Sequence, residues 1–206
     1  MKSLKYLKFL LLFGWVFLSQ GVAYALENPV QFMERITKDI LTTIEVKHDE
    51  FKRNDKALYA FMEGKMAPYG DFEEMSQWIA GRRVWGTASE ATKKAFMLEL
   101  KTMIIRTYGR AINAYRDQKI EFRPLRTAYE NKNRILVASV IIEPGKQPIA
   151  VDYKLLRRGQ GWKVYDIIIE GVSLIQGYTA QFSDLIKQKG LEAAVDKIRA
   201  HNQGPE

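Results

Sequence analysis

Asp166 and Glu170 are the carboxylate pair whose spacing comes nearest to acid–base chemistry. They stand four residues apart in a segment that reads as a strand, so they share a face at a separation of about 13 Å. Two-carboxylate glycoside hydrolysis works at roughly 5–9.5 Å, which this pair reaches only if the strand end bends. The competing reading has each carboxylate binding backbone amides or an arginine where the strand meets a helix. The two histidines do not help: His48 lies in a charged helical stretch and His201 near the C-terminus, neither beside a catalytic set. Cysteine is absent, so thiol chemistry is excluded. No HExxH, GxSxG or phosphate-binding glycine loop occurs. These residues do not describe an enzyme and require neither metal nor cofactor.

The elements around them are more telling. Val151, Tyr153 and Leu155 alternate with Asp152 and Lys154, the pattern of a strand with one buried face. Arg158-Gly159-Gln160-Gly161 supplies a tight hairpin, and Trp162 to Ile169 reads as the returning strand. In that strand Val164 and Ile168 fall on one face, and Tyr165, Ile167 and Ile169 on the other. Lys119 to Arg123 and Arg134 to Glu143 add two more strands, and short connections make all four antiparallel. Helices precede the sheet. Asn28-Pro29 opens one with Val30, Met33, Ile36, Ile40 and Ile44 on one face, and Asp49 to Met62 reads as a second. Asp71 caps a short helix carrying Trp78. A box of Thr87 and Glu90 opens a long helix reaching Tyr115. Two helices close the chain, Ser173 to Lys189 and Leu191 to Ala200, parted by Gly190. The pattern predicts an α+β domain with a four-stranded antiparallel sheet packed against helices.

Lys2, Lys5 and Lys8 precede an apolar run from Phe9 to Leu18, and Ala23-Tyr24-Ala25 forms a small-x-small site. These are the parts of a cleavable secretory signal, with cleavage expected after Ala25. Ten apolar residues span only about 15 Å as a helix, half a hydrocarbon core, which disfavours a permanent anchor. Residues 26–206 then form one domain, long enough to bury roughly 70% of its unfolded surface. The formal charge of +8 loses three with the leader, leaving +5. The basic doublets Lys52-Arg53, Arg82-Arg83, Lys93-Lys94 and Arg157-Arg158 are scattered, as solvated faces are. Export argues against nucleic acid as a partner.

The segment Trp162 to Leu174, WKVYDIIIEGVSL, resembles the MlaC-like (toluene-tolerance) family of periplasmic phospholipid carriers. The likeness continues in Met66 to Met75 with its Pro68, Asp71 and Phe72. It extends to Gly81 to Ala88 around Trp85, and to Thr107-Tyr108 through Tyr115. The sequence departs from the family near Thr179, where an arginine is common. The resemblance implies a curved sheet of the nuclear-transport-factor-2-like or cystatin-like kind, with an apolar cavity between layers that takes up acyl chains. It implies a lipid-binding lining of Trp78, Phe96, Leu100, Ile104 and Tyr108 from helices. Val137, Val151, Tyr153, Val164, Ile167, Val172 and Leu174 complete it from strands and the last junction. It also implies a monomer that exchanges phospholipid with two membrane complexes. One is an outer-membrane lipoprotein–porin complex; the other is an inner-membrane ABC transporter with an MCE-type binding protein. Together they maintain outer-membrane lipid asymmetry. Without the resemblance, the same apolar residues read equally as packed core.

Energetics restrict any such carrier. Two chains of about 15 methylenes represent about 24 kcal/mol of transfer from water, beyond the ceiling of about 18–21 kcal/mol for non-covalent affinity. Lipid exchanged between apolar surroundings needs only a difference near zero, so the lining is expected to be generic and the headgroup solvent-exposed. Two other functions fit the same pattern: a carrier of a hopanoid-like lipid, and a small enzyme using Asp166 as base in a wet pocket.

Overall fold

Asn28 accepts hydrogen bonds from the amides of Val30 (2.9 Å) and Gln31 (3.4 Å), and Pro29 takes the first helical position. The helix so opened is α1, Pro29–Arg53. The computed structural model describes residues 26–113 and 118–204, with all side chains among them except those of 110–113. The expected leader and Tyr115 lie outside the described residues. No helix among those residues is long and apolar enough to cross a membrane.

The break expected near Asp49 falls instead at Asn54. Its extended backbone (φ −141°, ψ 88°) ends α1, and its side chain accepts from the Ala57 amide (3.1 Å) to start α2, Asp55–Phe61. The charged run before Arg53 is the solvent face of one helix rather than a boundary. A π turn (Met62–Met66) and a 3₁₀ turn (Ala67–Tyr69) lead into α3, Phe72–Ala80, capped by Asp71 through the Glu74 amide (3.0 Å). Next come α4, Arg82–Thr87, and α5, Glu90–Asn113. The cap of α5 is Ser89, whose hydroxyl accepts from the Thr92 amide (3.0 Å). Thr87 instead donates back to the carbonyls of Arg83 and Val84, because it ends α4.

Among the described residues the sheet holds five antiparallel strands in chain order: β1 Lys119–Phe122, β2 Arg134–Ile142, β3 Ile149–Arg158, β4 Gly161–Ile169 and β5 Val172–Ser173. The fifth was not expected, since two residues are too short to show alternation. Gly159, at φ 59°, makes the β3–β4 turn. A bulge in β4 opposite Lys154 and Leu155 inserts Tyr165, leaving Val164 paired with Leu155 and Asp166 with Lys154. The inserted residue resets the alternation. Val164, Ile167 and Ile169 therefore share one face, and Asp166 and Ile168 the other, unlike the division that strict alternation predicts. The chain closes with α6, Leu174–Gln203, interrupted at Gly190 (φ 84°, ψ 175°) where the sequence places its break.

Both faces of the sheet are covered. Phe32, Met33 and Ile36 of α1 pack on Ile135, Val137, Leu155, Trp162 and Val164. On the opposite face Leu156 and Tyr165 join a larger core built by α3, α4, α5 and α6, with Phe96, Leu100, Phe182 and Leu191 at its centre. A third cluster fills the angle between the second half of α1, α2 and Ile105 of α5. Burial of these apolar faces, at roughly 25 cal/mol per Å², is what holds the layers together.

Candidate functional site

The sheet face toward α1 is apolar from one edge strand to the other. Antiparallel pairing places directly opposed residues on the same face. One row across it runs Phe122, Ser139, Val151, Ile169 and Val172, and the next runs Val137, Tyr153 and Ile167. Ile135, Leu155 and Val164 form a third row beneath α1. At the other end the rows come into the open: Ile149 is 43% exposed, Ile169 38% and Val172 68%. Contiguous exposed apolar side chains on one rim mark an interaction site more strongly than the same residues scattered singly.

The strand-borne half of the expected lining therefore lies together. Val137, Tyr153, Val164 and Ile167 belong to the cluster under α1, and Val151 and Val172 extend the same face toward the rim. The helix-borne half lies elsewhere. Phe96 and Leu100 are fully buried in the core on the opposite face, and Ile104 and Tyr108 pack against that core. Leu174, at the start of α6, is half-buried. Trp78 is 54% exposed, its indole N–H donating to Glu74 Oε1 at 2.8 Å. The structure does not bring the two halves into one lining. Reading the sequence missed the contribution of Ile149 and Ile169, although the alternation in β3 carries a signal for the first.

Two polar residues interrupt this face. Ser139 is 4% exposed and donates through Oγ to the Val151 carbonyl at 2.9 Å. Tyr153 lies diagonally beside it, its ring 6.0 Å from that of Phe122. Burial raises its phenol above the usual range, with the Ser139 hydroxyl partly opposing the shift.

Asp166 is not poised as a base. Its carboxylate accepts from Lys154 Nζ (2.9 Å), Ser173 Oγ (2.7 Å) and the Ile175 amide (3.2 Å), joining β3, β5 and the first turn of α6. Glu170 accepts from the Ala150 amide. Both carboxylates do what the structural reading of the sequence assigns to them, with lysine in place of arginine. A second charged set secures α3: Asp71 meets Arg158 Nε (2.6 Å), and Glu74 meets Arg134 (2.7 Å). Its hydrogen bond to the Asp71 carboxylate holds the Arg158 guanidinium above its ordinary range.

Two open grooves run along α1 where it passes β1, of about 660 and 750 Å³. Glu34 and Phe122 line both, so they adjoin; none of the expected lining residues contributes to either.

Residues 34–200 match the sequence model of the MlaC protein family. The chain belongs to the MlaC family. Among its MlaC relatives is the intermembrane phospholipid transport system binding protein MlaC of Haemophilus influenzae, 22% identical over 191 residues, which span 92% of this chain and 89% of that one. Toluene tolerance protein ttg2D of Pseudomonas putida is 22% identical over 174 residues, 84% of this chain and 80% of the other. A phospholipid-binding protein from Ralstonia solanacearum, solved in complex with a phospholipid, superposes with a TM-score of 0.78 at 29% identity. The match covers 85% of this chain and 97% of that one. The MlaC-family sheet and its helical layers are thus the same architecture in both. Thr179, near which the family resemblance leads one to expect an arginine, donates to the Ile175 carbonyl (2.7 Å) within α6.

Proposed function

We propose that this protein is a phospholipid carrier of the periplasm. It holds acyl chains against the apolar face of the sheet, with the headgroup in solvent beyond the rim of Ile149, Ile169 and Val172. The observation that carries this reading is that face itself. Apart from Ser139 and the phenol of Tyr153 it is apolar across all five strands, covered by α1 at one end and open at the other. The phospholipid in the Ralstonia solanacearum relative and the transport role in the name of the Haemophilus influenzae relative support it. Asp166, with its carboxylate fully engaged by a lysine, a serine and an amide, favours a carrier over an enzyme using that residue.

In this reading residues 1–25 are removed on export, and residues 26–206 act as one domain. The carrier exchanges lipid with an outer-membrane lipoprotein–porin complex and an inner-membrane ABC transporter that includes an MCE-type protein, and so maintains outer-membrane lipid asymmetry. An apolar surface with few polar contacts suits this exchange, since release must cost about as little as uptake.

Native mass spectrometry of protein purified from the cell envelope tests the reading. The expected masses are those of a chain beginning at Leu26 carrying phospholipid. Val151→Glu, within the face, is expected to lose the lipid, and Val172→Glu, on the exposed rim where folding tolerates a charge, to lower occupancy. Full occupancy in both variants, or a wild-type protein carrying no lipid, would refute it.

A further inference from the structure

We propose that the outer edge of β1 is a docking site for an extended segment of a partner protein, one that alternates apolar and polar residues and joins the sheet as a further strand. The site is formed by the sheet edge and the grooves beside α1, and it needs no bound lipid.

The strand order makes β1 an edge strand, paired with β2 alone among the described residues. The Arg123 amide donates to the Ala138 carbonyl (2.8 Å), so Glu121 and Lys119, at alternate positions, also turn their backbone groups toward β2. The N–H and C=O groups of Ile120 and Phe122 therefore point the other way, and among the described residues nothing pairs with them. Natural edges are blunted by proline, a bulge, an unmatched charge or a covering segment. β1 has no proline, and its residues pair in register without a bulge. Its lysine, Lys119, is matched by Glu121 on the same face at 2.7 Å. Nor does α1 cover the edge: it passes alongside and leaves the two adjoining grooves open.

The walls of the grooves define the occupant. Ile120 and Phe122 stand on the sheet face toward α1, where Val30, Leu41 and Leu125 continue the apolar wall, and Lys119 and Glu121 stand on the other face. A strand laid along β1 has the same two faces, so every second side chain meets the apolar wall and those between meet the charged pair. Main-chain hydrogen bonds then give affinity, and alternate side chains give specificity. An acyl chain offers nothing to the Ile120 and Phe122 backbone, and Glu34 and Lys38 on the α1 wall suit a peptide better than a hydrocarbon. A helix spends its backbone groups internally and leaves the edge unmet. Two outward residues, each with one donor and one acceptor, limit the contact to a few main-chain hydrogen bonds over about 13 Å. Such a contact forms and breaks readily, as a transient partner requires.

The test is selection of random peptides displayed on phage against the wild-type protein held by a C-terminal tag, with counter-selection on Ile120→Pro. That substitution removes an outward N–H and no bond to β2, and an edge strand tolerates proline at such a position. Enriched peptides are expected to alternate apolar and polar residues. Fluorescence anisotropy with one of them, synthesised, is expected to show binding to Ile120→Pro weakened by about threefold to tenfold, the worth of one hydrogen bond. Methylating that peptide's backbone nitrogens along one edge is expected to abolish binding to the wild type, and methylating the other edge to leave it. The methylated pair needs no protein variant and decides the matter even if Ile120→Pro does not fold. Absence of enrichment on the wild type, enriched sequences with helical spacing, or binding that is indifferent to methylation of either edge would each overturn the site. A dimer of the free protein, seen by native mass spectrometry and lost in Ile120→Pro, would give the edge to a second copy of this chain and overturn the assignment to another protein.

Discussion

Asp166 illustrates how a residue that looks chemical becomes structural. It is almost fully buried and accepts from Lys154 on β3 and from Ser173 and the Ile175 amide where β5 meets α6. Asparagine at this position keeps one oxygen for the amide but replaces the oxygen that accepts from Lys154 and Ser173 with an NH2 that accepts from neither, and it leaves Lys154 without its charge partner. Asp166→Asn is expected to lower unfolding free energy by about 2–4 kcal/mol, measured by urea denaturation. A change below about 0.5 kcal/mol, within the range of ordinary surface substitutions, would show that the network contributes nothing. The residue types at 166 and 170 were legible as junction carboxylates. Lys154 as the partner was not, because that pairing depends on the β3–β4 register.

Among the elements, α6 depends most visibly on one backbone angle. Gly190 sits at φ 84° and ψ 175°, a region open essentially to glycine alone, and a Cβ there would approach Glu192 Oε2 at 3.3 Å. Gly177, earlier in the same helix, is exposed, and a Cβ would meet nothing within 4 Å. The two substitutions by alanine should move stability in opposite directions. Gly190→Ala is expected to destabilise by about 1–3 kcal/mol, and Gly177→Ala to stabilise by about 0.5–1 kcal/mol. Thermal denaturation followed by circular dichroism measures both, and a stabilising Gly190→Ala would contradict the assigned turn. Gly190 was readable because a glycine between two amphipathic runs has few other uses. The bulge in β4 was not readable: Tyr165 is a good strand former, and nothing local says that it is the extra residue. The faces assigned to β4 by strict alternation consequently changed beyond that point.

At the scale of the whole molecule, the two larger apolar clusters pack on opposite faces of one sheet, and a third joins helices alone. Chain segments from both halves of the sequence meet in each of the two larger ones, so neither face is expected to melt alone. Unfolding in urea is expected to be a single transition, with midpoints from tryptophan fluorescence and far-ultraviolet circular dichroism coinciding. Separated midpoints would mean that the layer under α1 unfolds independently of the layer of α3 to α6. By itself the sequence determined the α+β order, the antiparallel hairpins, most helix boundaries and the family, because periodicity, caps and glycines act over a few residues. Only the tertiary structure decided which side of the sheet each apolar residue serves. Phe96 and Val137 are equally buried and equally apolar, yet the sheet lies between their clusters. Hydrophobic burial has no direction, so a sequence states that such residues leave water but not which of them leave it together.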